Sequence, residues 1–103
     1  MTFDNVKLIG NANIYFEGKV NSRTFFLEDG RRKTLGFMMA GVYKFGTSAG
    51  EIMEVLAGEM EVTLDGETKP VIYHAGDSFT VPANSSYRAE VKDYADYCCS
   101  YQD

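Results

Sequence analysis

Three features are absent from this sequence, and each absence removes a class of function. No apolar run reaches the ~18 residues that a membrane-spanning helix needs. The N-terminal residues also lack the apolar core of a signal peptide. There is no stripe of basic residues, and the formal net charge is −5, which disfavours a nucleic-acid partner. We therefore expect neither a membrane nor a nucleic acid among the partners.

Cysteine is scarce, because Cys98 and Cys99 are the only two in the chain. Neighbouring residues on a strand point to opposite faces, so a disulfide between them is disfavoured. Two adjacent free thiols fit a reducing compartment. With no signal peptide in the sequence, they favour a cytoplasmic protein.

Tryptophan is missing altogether, but seven Phe and seven Tyr bring the aromatic content to 14%. Phe and Tyr favour strands. Turn signals recur about every 8–12 residues, a spacing typical of β-sandwiches and barrels, and no segment keeps the apolar spacing of an amphipathic helix. At 103 residues, 45% of them hydrophobic, the chain is predicted to form one all-β domain.

This prediction rests mainly on the stretch from residue 41 to residue 87. In its first half, Gly58-Glu59 is predicted to be a tight turn between a strand that begins near Glu51 and a strand over 60–64. In its second half, a turn at 75–77 leads to a short strand that breaks at Pro82. Two such hairpin-like blocks can build a small barrel from a double-stranded ribbon, with a pocket between them.

The flanking segments are predicted to contribute further strands and turns. The Asp-Gly pairs at 29–30 and 65–66 are hairpin signals, because both residue types tolerate a positive φ. The remaining expectations are a loose lead-in over 1–13, strands over 14–20, 23–28, 33–39, 87–91 and 97–101, and turns at 21–22 and 40–41. On the last strand, we expect Tyr97, Cys99 and Tyr101 to face inward and Cys98 outward.

Two spacings in the central stretch resemble the cupin motifs. Six residues separate Glu51 from Gly58, as in the first motif, and five separate Gly76 from Pro82, as in the second. Five segments together are similar to the small cupin family of pyrimidine/purine nucleoside phosphorylases. These are residues 15–20, 41–47, 51–58, 76–85 and 97–101, which span nearly the whole chain.

This resemblance implies a fold and an activity. The fold would be a single cupin-type barrel, a jelly-roll-like double-stranded β-helix over residues 1–103. The activity would be broad-specificity phosphorolysis, in which phosphate displaces the base from purine and pyrimidine nucleosides and leaves a pentose 1-phosphate. The partners would be nucleosides and phosphate, with no cofactor. The family consists of small cytosolic bacterial proteins, and we expect a homodimer that covers an open edge of the N-terminal strands.

The residues at the cupin metal positions do not match a metal-binding cupin. Counting back from Glu51, the two histidine positions of the first motif fall on Phe45 and Thr47, or on Lys44 and Gly46. The histidine position of the second motif falls on Tyr87. The only histidine is His74, beside a turn, and we expect it to be exposed. One carboxylate with hydroxyl groups would hold a transition metal poorly, so no metal site is predicted.

Phosphorolysis requires a phosphate-binding group, a group that stabilises a cationic sugar, and a surface that grips the base. We expect Glu51 to support the sugar cation and Lys44 to bind phosphate; the alternatives are an exposed strand carboxylate and a solvated lysine. For substrate binding, the candidates are Thr47, Phe79, Asn84, Tyr87, Tyr97 and Arg23. Their alternatives are core aromatic residues, turn residues that bond their own backbone and a solvated arginine.

Two other functions remain open on the sequence alone. A non-catalytic cupin that binds a small ligand would have the same pocket but would release no base. A metal-dependent cupin enzyme would need ligands that the sequence does not supply at the expected positions.

Overall fold

A computed structural model describes residues 1–103, and nearly all regular structure in it is β-strand. The strands are β1 (Lys7–Leu8), β2 (Asn13–Tyr15), β3 (Val20–Phe26), β4 (Arg32–Gly46), β5 (Gly50–Leu64), β6 (Val71–His74), β7 (Ser78–Val81) and β8 (Ser86–Gln102). The one helical segment is a 3₁₀ turn at Phe16–Gly18, so no helix could cross a membrane. The prediction of an all-β chain is confirmed.

Three long strands form the frame of the molecule. The sheet order is β1-β3-β4-β8-β5-β6, with β2 added to β3 and β7 added to β5. The 17-residue β8 is central and hydrogen-bonds to β4 on one edge and β5 on the other. Inward-facing side chains from β3, β4, β5, β7 and β8 pack into one core. Burial of this apolar surface is the main stabilising contribution.

Two predicted turns are bulges inside long strands. The turn expected at Ala40-Gly41 lies within β4, where the register with β8 shifts between Met39 and Gly41. The turn expected at Gly58-Glu59 lies within β5, where the register shifts between Gly58 and Glu61. A glycine in a strand permits either a turn or a bulge, and here β8 pairs on both sides of each glycine. The two predictions of a turn are therefore wrong.

The N-terminal strands also differ from the prediction. The predicted strand over 14–20 is interrupted by the 3₁₀ turn, where Phe16, Glu17 and Gly18 all have positive φ. The predicted turn at 21–22 lies inside β3, because these residues pair with β2 and Ser22 is buried. Residues 1–13, predicted to be a loose lead-in, contain β1, which pairs with β3.

The C-terminal segment forms one strand where two were predicted. Residues 87–91 and 97–101 both belong to β8, which is kept continuous by its hydrogen bonds to two neighbours. The hairpin signals at 29–30 and 65–66 and the turn at 75–77 are confirmed. Cys98 was expected to face solvent, but it is fully buried. It lies in the centre of the sheet between Leu35 and Glu54, and neighbours on both sides cover it.

Gly58 provides a test of the bulge in β5. Its φ is +75°, and a Cβ at this position would collide with the backbone carbonyl oxygen of Tyr94. We expect Gly58→Ala to lower the free energy of unfolding by about 3–5 kcal/mol. Gly66 also has a positive φ, +83°, but it has open space around it, so Gly66→Ala should cost only about 1–2 kcal/mol. Urea unfolding of both variants measures the difference, and equal losses would contradict the bulge geometry.

Candidate functional site

The curled sheet encloses a cavity of about 120 Å³. Its lining comes from β2, β3, β4, β5 and β8, so it is not confined to the two predicted hairpin blocks, and most of its wall is apolar. The lining residues are Tyr15, Ser22, Thr34, Met38, Phe45, Gly46, Glu51, Met53, Tyr87, Tyr97, Cys99 and Tyr101. The cavity is below the ~300–1,000 Å³ typical of drug-sized ligand pockets. It therefore accommodates only part of a nucleoside-sized molecule.

Glu51 supplies the only carboxylate in this cavity. It lies near the start of β5, between Val81 of β7 and Tyr101 of β8, and it is half-buried. Burial raises the pKa of Glu51 above its usual range, while the neighbouring Cys99 thiol and the more distant Arg32 guanidinium oppose the rise. A carboxylate held in this way is available to a ligand because no hydrogen-bonded ion pair engages it.

Neutral hydroxyl and thiol groups surround the carboxylate. Burial raises the pKa of Tyr87, of Tyr97 and of Tyr101 well above the usual value for tyrosine. Burial, together with the charge of Glu51, likewise raises the pKa of the Cys99 thiol far above its usual value. These groups stay protonated at neutral pH and can donate hydrogen bonds. The cavity thus carries one negative charge among neutral donors, which suits a polyhydroxylated ligand that develops positive charge.

An aromatic wall stands on one side of the cavity. The rings of Phe45 and Tyr87 lie 5.2 Å apart between centroids. Phe79 packs edge-on against Tyr87 at 5.6 Å, but it lies behind the wall, in the core, and does not line the cavity. Phe16, from the 3₁₀ turn, meets the edge of Phe45 at 5.5 Å. Aromatic faces of this kind can hold a planar base.

Thr47 and Asn84 connect two loops beside the cavity. The Thr47 hydroxyl donates to the Pro82 carbonyl oxygen at 2.6 Å and accepts from the Ser85 N–H at 3.0 Å. The Asn84 N–H donates to the Ser48 carbonyl oxygen at 3.2 Å, and Asn84 adopts a φ of 53°. These bonds hold the β4–β5 connection against the β7–β8 connection, and neither side chain lines the cavity.

Two predicted cations lie outside the cavity. Lys44 is exposed and faces away from the core on β4, where it is paired in register with Arg88. Arg23 is exposed on β3, and its Nε donates to the Gly10 carbonyl oxygen at 3.1 Å. Of the eight candidate residues, the structure brings Glu51, Tyr87 and Tyr97 together around the cavity.

Sequence reasoning missed several lining residues from the N-terminal half. Ser22 was assigned to a turn, Thr34 carried no motif, and Tyr15 lay in a family segment but was not predicted to line a pocket. Their place follows from strand pairing, because β3 joins β2 to β4. Gly36 is also needed, since a Cβ there would collide with the Tyr97 ring, which lies flat against β4. The sequence had indicated Glu51 and Tyr87 through the cupin motifs, and Tyr97, Cys99 and Tyr101 through their alternation on the last strand.

The metal positions of the cupin motifs are taken by other chemistry. Phe45 and Tyr87 place aromatic rings at the cavity wall, and Thr47 joins the loops. No group of three His, Cys, Asp or Glu side chains lies close enough to hold a metal ion. His74 is 65% exposed and its Nδ1 lies 3.2 Å from a carboxylate oxygen of Glu59, away from the cavity. Nothing at the site therefore provides a transition-metal ligand set.

Comparison with known proteins assigns the family. A family model described as pyrimidine/purine nucleoside phosphorylase matches residues 10–101. The chain belongs to the pyrimidine/purine nucleoside phosphorylase family. A relative of that name from Hydrogenovibrio crunogenus is 55% identical over 101 residues, which cover 98% of this chain and 97% of the relative. Another from Syntrophotalea carbinolica is 54% identical over 99 residues, 96% and 95% of the two chains.

Solved structures confirm the cupin fold. A protein from an Acinetobacter species, described as of unknown function, matches with a TM-score of 0.95 at 37% identity and covers 98% of both chains. An RmlC-like cupin from Shewanella frigidimarina matches with a TM-score of 0.69 at 17% identity, covering 98% of this chain and 86% of that one. The second likeness shows the fold alone. The family member described here thus has the cupin fold, as predicted.

The raised pKa of Glu51 has a consequence for stability. At pH 7 the folded protein holds an ionised, partly desolvated carboxylate, whereas the unfolded chain holds it in water. The parent should therefore gain stability as the pH falls from 7 toward 4.5, the usual value for glutamate. We expect Glu51→Gln to be at least as stable as the parent at pH 7, with the advantage shrinking toward pH ~5. Urea unfolding at both pH values measures it; a variant that is less stable at pH 7 would contradict the expectation.

Proposed function

We propose that this protein is a broad-specificity nucleoside phosphorylase that cleaves purine and pyrimidine nucleosides with phosphate. The proposal rests on one observation: in this member of the family, the cavity contains a single half-buried carboxylate, Glu51, among neutral tyrosine hydroxyls. The cavity is about 120 Å³, so we place the pentose inside it and the base toward the aromatic wall.

The reaction fits this arrangement of groups. A phosphate oxygen forms a bond to C1′ of the pentose, and the bond from C1′ to the base nitrogen breaks with its electron pair on the base. The base then takes up a proton. Positive charge develops on the sugar as the bond breaks, and a fixed carboxylate stabilises it best where water is scarce. We propose that the Tyr87 and Tyr97 hydroxyls donate hydrogen bonds to sugar oxygens.

The way in which the base would be held accounts for the proposed broad specificity toward nucleosides. Phe45 and Tyr87 offer ring faces, which contact any planar base. A hydrophobic surface discriminates weakly between ligands of similar shape. We therefore propose that the base is held by contact area and that acceptance of both purines and pyrimidines follows.

Other parts of the proposal concern the context of the reaction. We propose that phosphate is a co-substrate and that the reaction needs no metal or organic cofactor, since the chemistry asks only for charge and position. Cys98 and Cys99 are free and buried, which fits a reducing cytoplasm. Lys44 was the expected phosphate ligand, but its outward position gives that assignment no support.

A second function is favoured by one observation. No lysine or arginine side chain lines the cavity, as expected for a cupin that binds a neutral sugar or nucleoside without phosphate. Such a protein would bind nucleosides and release no base.

The decisive experiment measures base release from inosine and uridine with and without inorganic phosphate. We expect release that depends on phosphate, and a fall in kcat/KM of about 10²–10³-fold in Glu51→Gln, because the sugar cation loses its counter-charge. Thr63→Ala, outside the cavity, serves as a control that should retain activity. Binding of nucleoside without base release in the parent would establish the second function instead.

We also propose a homodimer. Residues 35–42 of β4 contain no charge, and their outward side chains are all apolar: Leu35, Phe37, Met39 and Val42. Tyr94 of β8 stacks on Phe37 at 5.8 Å, which extends this surface. Contiguous exposed apolar surface of this kind marks an interface, and a second copy would present the same face about a two-fold axis.

Light scattering tests the dimer. The chain mass is 11.5 kDa, and we expect the parent to have twice that mass. Phe37→Glu should give a monomer, because a charge in the centre of an apolar interface remains unpaired. Val71→Glu is a control, since Val71 is also an exposed apolar residue but lies on β6. A measured mass of one chain for the parent protein would contradict the proposed homodimer.

A further inference from the structure

We propose that Arg32 binds the phosphate co-substrate at the rim of the cavity, and that the Asp103 carboxylate occupies the phosphate position until phosphate displaces it. The inference rests on the proposed phosphorylase function, because it names the phosphate-binding residue of the same site. It also accounts for how a cavity without a lysine or arginine in its wall could accept a phosphate dianion.

Arg32 stands apart from the other basic residues. The chain has ten lysines and arginines, and all but Arg32 and Lys33 are exposed. The guanidinium carbon of Arg32 lies 3.7 Å from the centre of the Tyr101 ring, and that ring is part of the cavity wall. Lys33 instead directs its ammonium group toward Phe3 at 5.8 Å. Arg32 is therefore the cation positioned against the cavity wall.

Tyr101 lines both the cavity and a second, open groove. This groove has a volume of about 600 Å³, and its lining includes Arg32, Lys33, Ser100 and Gln102 as well as Tyr101. Arg32 is close enough to Glu51 for its charge to lower the pKa of that carboxyl against the rise caused by burial. A phosphate bound to Arg32 at this rim would therefore lie near a pentose held at Glu51. The groove and the cavity meet at Tyr101, and the phosphate would approach the sugar over this rim.

The Asp103 carboxylate already binds the Arg32 guanidinium in the way that a phosphate would. Its two carboxylate oxygens accept from Nε at 2.9 Å and from Nη2 at 2.8 Å of Arg32. Carboxylate and phosphate compete for the same planar fork of an arginine. The Asp103 side chain is 53% exposed, and an ion pair that is open to water contributes little to stability. A phosphate dianion with more charge can therefore replace it.

The charges of the groove support displacement of Asp103 by an anion. Three basic residues, Arg31, Arg32 and Lys33, face three acidic ones, Asp29, Glu54 and Asp103. Arg31 is neutralised by Asp29 at 2.7 Å, whereas Lys33 has no carboxylate within 4.0 Å. When Asp103 moves away, three cations face two carboxylates, Asp29 and Glu54, so the groove becomes locally positive in a protein of net charge −5.

The test is steady-state kinetics with uridine and inorganic phosphate. In Arg32→Gln we expect the KM for phosphate to rise about tenfold or more, because a charge-assisted bidentate contact is lost. The KM for uridine should change by less than about twofold. In Asp103→Asn the KM for phosphate should fall about two- to fivefold, the range that loss of an exposed ion pair permits. Arg32→Lys, which keeps the charge but not the fork, should lie between.

The control is Arg88→Gln, which makes the same change in net charge on the exposed face of β8 and should leave both KM values at the parent's. Thermal unfolding establishes that every variant is folded. An unchanged phosphate KM in folded Arg32→Gln would overturn the proposal. A rise in Lys44→Ala with none in Arg32→Gln would overturn it too and would return the role to Lys44.

A binding measurement separates this proposal from the function on which it rests. Phosphate titration followed by ³¹P NMR needs no turnover. If the parent releases no base but binds phosphate, and Arg32→Gln does not bind it, the phosphorylase proposal fails and the anion site stands. If the parent turns over and Arg32→Gln binds phosphate as the parent does, the enzyme stands and this assignment fails.

Discussion

The double pairing of β8 is the constraint on which the rest of the structure depends. This strand gives one edge to β4 and the other to β5 along most of its 17 residues. Its backbone forms hydrogen bonds on both edges, and the side chains on one of its faces form the floor of the cavity. Tyr87, Tyr97, Cys99 and Tyr101 all come from it. A change that breaks either edge would remove both the core and the cavity wall.

The bulges follow from the same constraint. Two 15-residue strands that pair with β8 must curve to enclose a core, and strands twist and bend most readily where an extra residue is inserted. At both register shifts the extra residues lie on β8, and Gly41 and Gly58 stand opposite them. Close contacts surround both glycines: the ring of Tyr43 lies against the first and the backbone of Tyr94 against the second. Curvature, and with it the depth of the cavity, therefore depends on two residues without side chains.

Charge placement determines what the cavity can do. A single carboxylate, Glu51, lies among groups whose pKa values burial keeps high, so the interior holds one negative charge at neutral pH. Every lysine and arginine is outside the cavity, and Arg32 alone reaches its rim, across the ring of Tyr101. This separation is suited to a reaction in which a sugar gains positive charge inside and an anion approaches from outside. It also keeps the two charged groups from neutralising each other.

The order of apolar, aromatic and turn residues along the chain was enough to determine the class of fold and the identity of several inward-facing residues. Strand alternation places Tyr97, Cys99 and Tyr101 on one face of the last strand, because the side-chain period of a strand does not depend on its neighbours. Glu51 and Tyr87 were selected by their positions in the cupin motifs. Local sequence does not distinguish a bulge from a turn at Gly41 or Gly58, since a glycine with unusual φ serves either; pairing with β8 decided that. Nor does it indicate that Arg32 lies beside Tyr101, 69 positions away along the chain, or that Lys44 faces solvent. Such contacts join residues that are distant in sequence, and only the register of paired strands brings them together.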